Sequence, residues 1–431
     1  MVACRIPTSS GTTKSPASTN APQALTKAFS AADDLSPDRV LLTLTAQPAT
    51  SQAVSWRAWP TTNRPQAAIL PAPGGPIDEK AASIVPAVVE RVTYGKRQTL
   101  LHASVEFTNL QPATAYAYRV GDGKSWSEWN QFRTADTEPA PFRFLYLGDL
   151  QNGINMHGSR LLRAAALTAP DARFIVHAGD LVTDPFNDQL WYEWFAAAGW
   201  LYRVVPSFPA PGNHDLKNNA PSKIWRPMFA LPHNGPPGQE ELSFFTDYQG
   251  LRLVSFNGNA YDEPSHLRWL ESVLQVPTDT WKVVVTHQPM YSTGQKRDAT
   301  KRRELLMPIF DRCGVDLVLQ GHDHTYGRTH KIHAGQITNP DAPGVVYATS
   351  VSGSKMYKLN PTNRVFMACL ATNLQLFQVL SVSRDALAYE AYTADRRPFD
   401  AFELRRRNQR TTLVDRAPSP APAPQPDSAI R

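Results

Sequence analysis

Two stretches decide how this chain is read: FRFLYLGDLQNG at 142–153 and RFIVHAGDLVTD at 173–184. In each, an apolar run with the composition of a buried strand ends on Gly-Asp-Leu. A glycine at that point permits a tight turn out of the strand, and the aspartate is then carried at the strand's edge. Taken singly, such an aspartate is a turn or helix cap. The repetition asks whether both aspartates are delivered to one place.

The surrounding pattern says that they are. From residue 141 onward, strand-like runs alternate with amphipathic stretches that predict helices near 156–168 and 187–199, then at SHLRWLESVLQ (265–275) and KRRELLMPIFDRC (301–313). The runs LRLVSFN, WKVVVTH and VDLVLQ lie between them, and VVYATSVSG, FMACLATN, LQLFQVLSV and ALAYEAYTA complete a second sheet. This alternation predicts an α/β domain with buried central strands, spanning 138–408. Ligands of such sheets collect at the carboxyl ends of the strands. Asp149, Asp180, GNHD at 212–215, His287 and GHDH at 321–324 all fall at such ends.

Those residues are oxygen and nitrogen donors without thiolates, the set that suits manganese, iron and zinc. Two adjacent ions sharing a carboxylate would use two aspartates, an asparagine and three histidines, where one ion would not. Paired ions of this kind clamp the attacking and leaving oxygens of an in-line displacement at phosphorus.

In order, GD…GDLV…GNHD…THQP…GHDH resembles the calcineurin-like metallophosphoesterase superfamily, and SHLRWLESVL and GHDHTYGR are similar to further family segments. With the β-rich region ahead of it, the chain looks like the purple acid phosphatase branch, over roughly 40–405. The resemblance implies a four-layer αββα sandwich and a dinuclear metal-dependent phosphomonoesterase. It also implies a small phosphate ester as substrate and a metal-bound hydroxide as nucleophile. Carried over by position, Asp180 would bridge two divalent ions (Mn, Fe or Zn). Asp149 and His324 would hold the first ion, and Asn213, His287 and His322 the second. His214 would contact the phosphoryl group and help the leaving oxygen depart, with Asp215 holding its tautomer. Two positions depart from the pattern. Gln151 stands where many members have a metal-binding histidine, and would ligate through its amide oxygen or through water. Thr183 stands where purple enzymes have the tyrosine that binds ferric iron, so no Fe(III)-tyrosinate and no purple colour are expected.

Ahead of this domain, the short alternating runs VLLTLTA, AVSWRAW, RQTLLHASVEFTNL, AYAYRV and WNQFRTA predict an all-β sandwich over 38–137. LQPATAYAYRVGDG followed by SEWNQFRTA resembles the end of a fibronectin type III-like module. Residues 1–37, rich in Ser, Thr, Pro and Ala, and the tail from 409 that ends in APSPAPAPQPDSAIR read as disordered.

The composition, 42% hydrophobic and 19% charged, is that of a globular protein, and no run approaches eighteen apolar residues, so no transmembrane helix is expected. Much of the net charge of +6 comes from ELRRRNQR at 403–410. No aromatic residues interleave that run, and no nucleic-acid partner is expected. Cys4, Cys313 and Cys369 make neither a disulfide framework nor a zinc knuckle. MVAC before a Ser/Thr/Pro/Ala tract is similar to the stub of an exported, lipid-tethered protein. The charged and apolar segments of a signal peptide are missing, so export and coincidence both stay open.

Other functions compete. A diesterase or nucleotide hydrolase could use the same residues, and a secreted binding protein could keep the fold without activity, although all six shared ligand positions are present. His177 reads as a core histidine, Asp323 as a loop-bonding carboxylate and Arg328 as a structural cation. Trp191, Trp194 and Trp200 read as core or lid packing. His157 lies beyond the first metal loop, where it could reach substrate.

Overall fold

The computed structural model describes residues 36–418, apart from 60–61, 63, 95–97, 217–222 and 408–409. Most of the expected disordered N-terminal segment, Cys4 and the end of the tail from 419 lie outside the described residues.

Two large sheets pack face to face, and each takes parallel strands to the same edge of the molecule. In the first, Phe142–Leu147, Ile175–His177 and Ser207–Pro209 run parallel as neighbours. In the second, Leu251–Ser255, Trp281–Val285, Leu317–Gln320 and Val346–Thr349 run parallel. These strands are buried on both faces, which is why their sequences are continuously apolar rather than alternating. Helices cover the outside. Pro264–Leu274 begins with proline at its first turn and turns His266, Leu270 and Leu274 inward, one face at a spacing of four. Thr300–Cys313 stops at Gly314, whose φ of 63° is a left-handed cap. The expected helix near 156–168 begins as a wide π turn, Ile154–Gly158, and becomes α-helical over Ser159–Thr168.

The N-terminal sandwich is present, but it is not a separate bead. Asp38–Thr43 runs parallel beside Ser207–Pro209, so one sandwich sheet continues the first catalytic sheet into a single set of eleven strands. The other sandwich sheet orders Ser83–Pro86, Gln66–Pro71, Ala115–Gly121 and Asn130–Arg133. Ser83–Pro86 and Val88–Tyr94 escape the sequence pattern because proline and glycine interrupt that region. The expectation that the chain is disordered from 409 is corrected. Arg410–Asp415 is the edge strand of the first sheet, where Thr-Thr-Leu-Val has strand propensity and Leu413 packs on the core.

Several side chains tie the sheets together, two of them close to the strand ends that deliver the expected ligands. The hydroxyl of Tyr146, on the first sheet, accepts from the backbone N–H of Gln320 at 2.9 Å and bonds the carbonyls of Gln320 and Ala348, all on the second. Arg328, on the second sheet, forks onto Asp400 of the first at 2.7 and 2.8 Å, and Tyr326 donates to the same carboxylate at 2.7 Å. Arg328 and Asp400 are both buried, so each depends on the other for its charge. Arg328→Ala is expected to destabilise the protein by about 3–5 kcal/mol in chemical denaturation, because Asp400 is left charged and enclosed. The double change Arg328→Met with Asp400→Leu is expected to recover most of that loss. A single change costing less than about 1 kcal/mol would contradict the clamp.

Candidate metal centre

Five loops leave the carboxyl ends of the parallel strands and meet between the two sheets. Four of the expected ligands have left-handed backbones: Asp149 (φ 45°), Asp180 (φ 51°), His322 (φ 76°) and His324 (φ 48°). Such a conformation costs a non-glycine residue about 1 kcal/mol or more, and clusters of it mark functional sites. Its local effect is to turn the side chain back across the strand end. Two glycines make room for the result. A Cβ on Gly212 would lie 2.1 Å from Asp180 Oδ1, and one on Gly321 would lie 2.4 Å from Asp149 Oδ2.

The side chains converge closely. Donor atoms of Asp180, His287 and His322 all lie within 4.8 Å of one another. His287 Nε2 is 3.2 Å from Asp180 Oδ2 and 3.1 Å from His322 Nδ1. Gln151 Nε2 is 3.0 Å from Asp180 Oδ2 and 3.3 Å from His324 Nε2, which lies 3.9 Å from Asp149 Oδ1. Backbone groups orient the cluster. The Nδ1–H of His287 donates to the carbonyl of Ala178 at 2.7 Å, which turns Nε2 toward the carboxylates. The N–H of His214 donates to Asp180 Oδ1 at 2.9 Å, and that of His322 donates to Asp149 Oδ2.

Charge in this crevice is poorly balanced. Asp149 and Asp180 are each 1% exposed. Burial pushes Asp149 well above the usual carboxylate range, despite the attraction of His287. Asp180 is buried too, but His287 and His214 hold it well below that range. Burial opposes charge on His287, yet Asp180 and Asp149 outweigh it and lift the ring to about 9. The crevice therefore balances its charge only by holding Asp149 toward its protonated form and His287 as an imidazolium.

Metal ions fit what remains. Asp149 Oδ1, Gln151 Oε1 and Asn213 Oδ1 are enclosed with no hydrogen-bond partner among the described residues. Buried polar atoms are ordinarily paired, and three orphaned oxygens in one crevice with histidine nitrogens are the signature of a cation site.

The structure brings together Asp149, Gln151, Asp180, His287, His322 and His324, and Asn213 and His214 follow on the neighbouring loop. It corrects the reading of Asp215. That buried carboxylate accepts from the backbone N–H groups of Leu181 (3.0 Å), Val182 (3.4 Å) and Gly212 (2.9 Å), so it splints the Asp180 turn. His214 is oriented instead by the carbonyl of Thr183, 2.9 Å from Nδ1. A backbone acceptor carries no side-chain signature, which is why the sequence did not reveal it. His177 is enclosed beside Trp194 and Tyr202 as a core histidine, lowered to about 3 by burial. Asp323 accepts from the N–H groups of Thr293 and Gly294 and pairs with Arg297, organising the 291–297 loop. Trp191 and Trp194 are core, but Trp200 is 65% exposed: the helix ends at Ala198, and Gly199 turns the chain away from its apolar face. His157 is exposed on the π turn.

Two residues went unnoticed in the sequence. Tyr357 meets the His324 ring edge-on at 4.9 Å, and the Lys355 ammonium lies 5.1 Å from the Tyr357 ring. Lys355 has no carboxylate partner among the described residues. Its only signal was a pair of lysines in SGSKMYK, just past the Val346–Thr349 strand.

His287 is raised to about 9, so at pH 7 it must lose a proton before it can ligate. Metal affinity is therefore expected to rise with pH between 6 and 8, by up to about tenfold per unit. Calorimetric titration of Mn²⁺ in two buffers of different ionisation enthalpy should show proton release. Affinity independent of pH would contradict this charge balance.

Comparison with known proteins agrees with the geometry. Residues 37–134 match the purple acid phosphatase N-terminal domain, and residues 142–326 match the calcineurin-like phosphoesterases. Human acid phosphatase type 7 is 27% identical over 341 residues, 72% of this chain and 74% of that protein. A purple acid phosphatase from yellow lupin seeds superposes with a TM-score of 0.74 at 17% identity, covering 87% of this chain and 75% of that one. The structure of PhoD superposes at 0.64 and 11% identity, covering 90% and 93%. The lupin and PhoD likenesses establish the shared fold: an all-β domain followed by the α/β phosphoesterase domain. The chain thus carries a purple acid phosphatase N-terminal domain followed by a calcineurin-like phosphoesterase domain, the pair found in metallophosphoesterases that hydrolyse phosphoric esters.

Proposed function

We propose that this protein is a phosphomonoesterase that uses two divalent metal ions. The observation that carries this reading is the set of orphaned buried oxygens, Asp149 Oδ1, Gln151 Oε1 and Asn213 Oδ1, gathered with Asp180 and the histidines. Asp180 would be shared by the ions, with Asp149, His324 and Gln151 on one side and Asn213, His287 and His322 on the other. When bound, the ions supply positive charge against the phosphoryl oxygens and acidify water. Gln151 would need to present Oε1, the atom left without a partner.

The chain's own residues supply the rest. With the Nδ1 proton of His214 held by the Thr183 carbonyl, Nε2 is the remaining ring nitrogen of a half-buried residue whose backbone N–H bonds Asp180. It is positioned to bond a phosphoryl oxygen or to pass a proton to the departing alcohol. A monoester carries one more negative charge than a diester. Lys355, a cation without a carboxylate partner beside the His324–Tyr357 pair, favours the monoester. The side chain of Thr183 offers no phenolate, and the ferric-tyrosinate colour is not expected.

Protein reconstituted with Mn²⁺ is expected to hydrolyse p-nitrophenyl phosphate with a higher kcat/KM than bis(p-nitrophenyl) phosphate, and to be colourless. His214→Ala should lower kcat by about 10²–10⁴-fold, and Asn213→Ala should abolish turnover along with one bound ion. No hydrolysis of either ester with Mn²⁺, Fe²⁺ or Zn²⁺ would overturn the proposal. A visible tyrosinate band would overturn the reading of Thr183.

A further inference from the structure

A cavity of about 880 Å³ opens at the opposite end of the second sheet from the metal centre. Lys282 lies at the start of Trp281–Val285, the strand whose far end delivers His287. Asp316 immediately precedes Leu317–Gln320, whose far end delivers His322 and His324. A five-residue strand separates the two sites by roughly 17 Å.

The cavity wall gathers cations that are hidden from bulk water. Lys282 is 7% exposed and Lys331 2%, and the Arg406 side chain retains 10%. Asp316, also buried, pairs with Arg406 at 3.1 Å, and Asp311, whose side chain retains 11%, is a second nearly enclosed carboxylate on the wall, ion-paired with His333 at 3.3 Å. Asp316 is further engaged by the N–H of Lys282 at 3.0 Å. Both lysines otherwise bond only main-chain carbonyls: Lys282 that of Cys313, and Lys331 those of Pro340 (3.3 Å) and Thr411. The guanidinium of Arg406 stacks on Trp281 at 3.8 Å, and its Nη1 is enclosed with no hydrogen-bond partner among the described residues. Acids at the rim are occupied: Glu271 by Arg312 and Asp341 by Thr412.

Three enclosed cations thus face two enclosed acids, one of them also shared with His333, and buried charge is ordinarily paired. Burial pulls both lysines below their usual range, and Asp316 only partly offsets it. We propose that this cavity binds a phosphorylated small molecule, whose phosphoryl group is held by Lys282, Lys331 and Arg406. A tetrahedral oxyanion offers several acceptors, and guanidinium, with Nη1 left unpartnered, is the side chain best matched to it. The volume falls in the range of small-molecule sites, about 300–1,000 Å³, so there is room for an organic body beyond the phosphoryl group. The site is separate from the metal centre and does not depend on the chemistry proposed there.

Crystals of the metal-loaded full chain soaked in tungstate are expected to show an anomalous peak among Lys282, Lys331 and Arg406, distinct from any at the metal centre. Its absence would overturn the proposal. In solution, phenylphosphonate, which has no ester bond to hydrolyse, should bind at two sites per chain. Lys331→Met should weaken one of them about tenfold or more, and inorganic phosphate should occupy that site more weakly than phenylphosphonate. A single solution site that is lost when the metal ions are removed would mean binding at crystal concentration only in the cavity, and would count against the proposal. Equal affinity for phosphate and phenylphosphonate would reduce the cavity to a bare oxyanion site and overturn the ligand class. Should Lys331→Met fail to fold, the soak and the site count on unaltered protein still decide.

Discussion

Everything at the centre of this molecule follows from the enclosure of two carboxylates, Asp149 and Asp180, each 1% exposed. Moving a carboxylate out of water is costly unless a cation or several N–H groups meet it. The chain supplies part of that compensation: backbone N–H groups of His214 and His322 donate to the two aspartates, and His287 is held as an imidazolium. Asp149 Oδ1, Gln151 Oε1 and Asn213 Oδ1 remain unpaired. An arrangement that can ionise both carboxylates only with added positive charge, and that leaves such donors unpaired, suits cations.

Holding such a crevice open requires stiff walls, and the walls are two sheets with their parallel strands ending at one edge. Tyr146 crosses from one sheet to the other three residues before Asp149, bonding Gln320 just ahead of the GHDH loop. Arg328, four residues past His324, makes another crossing through Asp400. Both clamps lie within a few residues of ligands, so the spacing of the sheets and the spacing of the donors are one quantity. The left-handed backbones at Asp149, Asp180, His322 and His324 are kept in place by this frame, since an isolated loop would relax them.

Much of this was legible in the sequence. Apolar runs ending in Gly-Asp, Gly-Asn-His-Asp and Gly-His-Asp-His mark strand ends, and strand ends in α/β sheets share an edge. That reasoning reached the α/β fold, the all-β domain ahead of it and every residue of the central cluster. It failed where backbone atoms do the work. Asp215 was assigned to His214, but a carboxylate facing three free N–H groups of a tight turn bonds those first. The orienting acceptor for His214 is the carbonyl of Thr183, the residue notable in the sequence for its side chain. Lys355 and Tyr357 were missed because they reach the centre by a loop whose path no periodicity reveals. The strand Arg410–Asp415 was hidden by the Pro-Ala tail that follows it.

The central claim is that the enclosed charge is balanced by two ions that share Asp180. Anomalous diffraction at the manganese edge, from crystals of Mn²⁺-reconstituted protein, tests it most directly. Two peaks flanking the Asp180 carboxylate are predicted, one within ligand distance of Asp149 and His324 and the other of Asn213, His287 and His322. A single peak, or two peaks with Asp180 touching neither or only one, would contradict it.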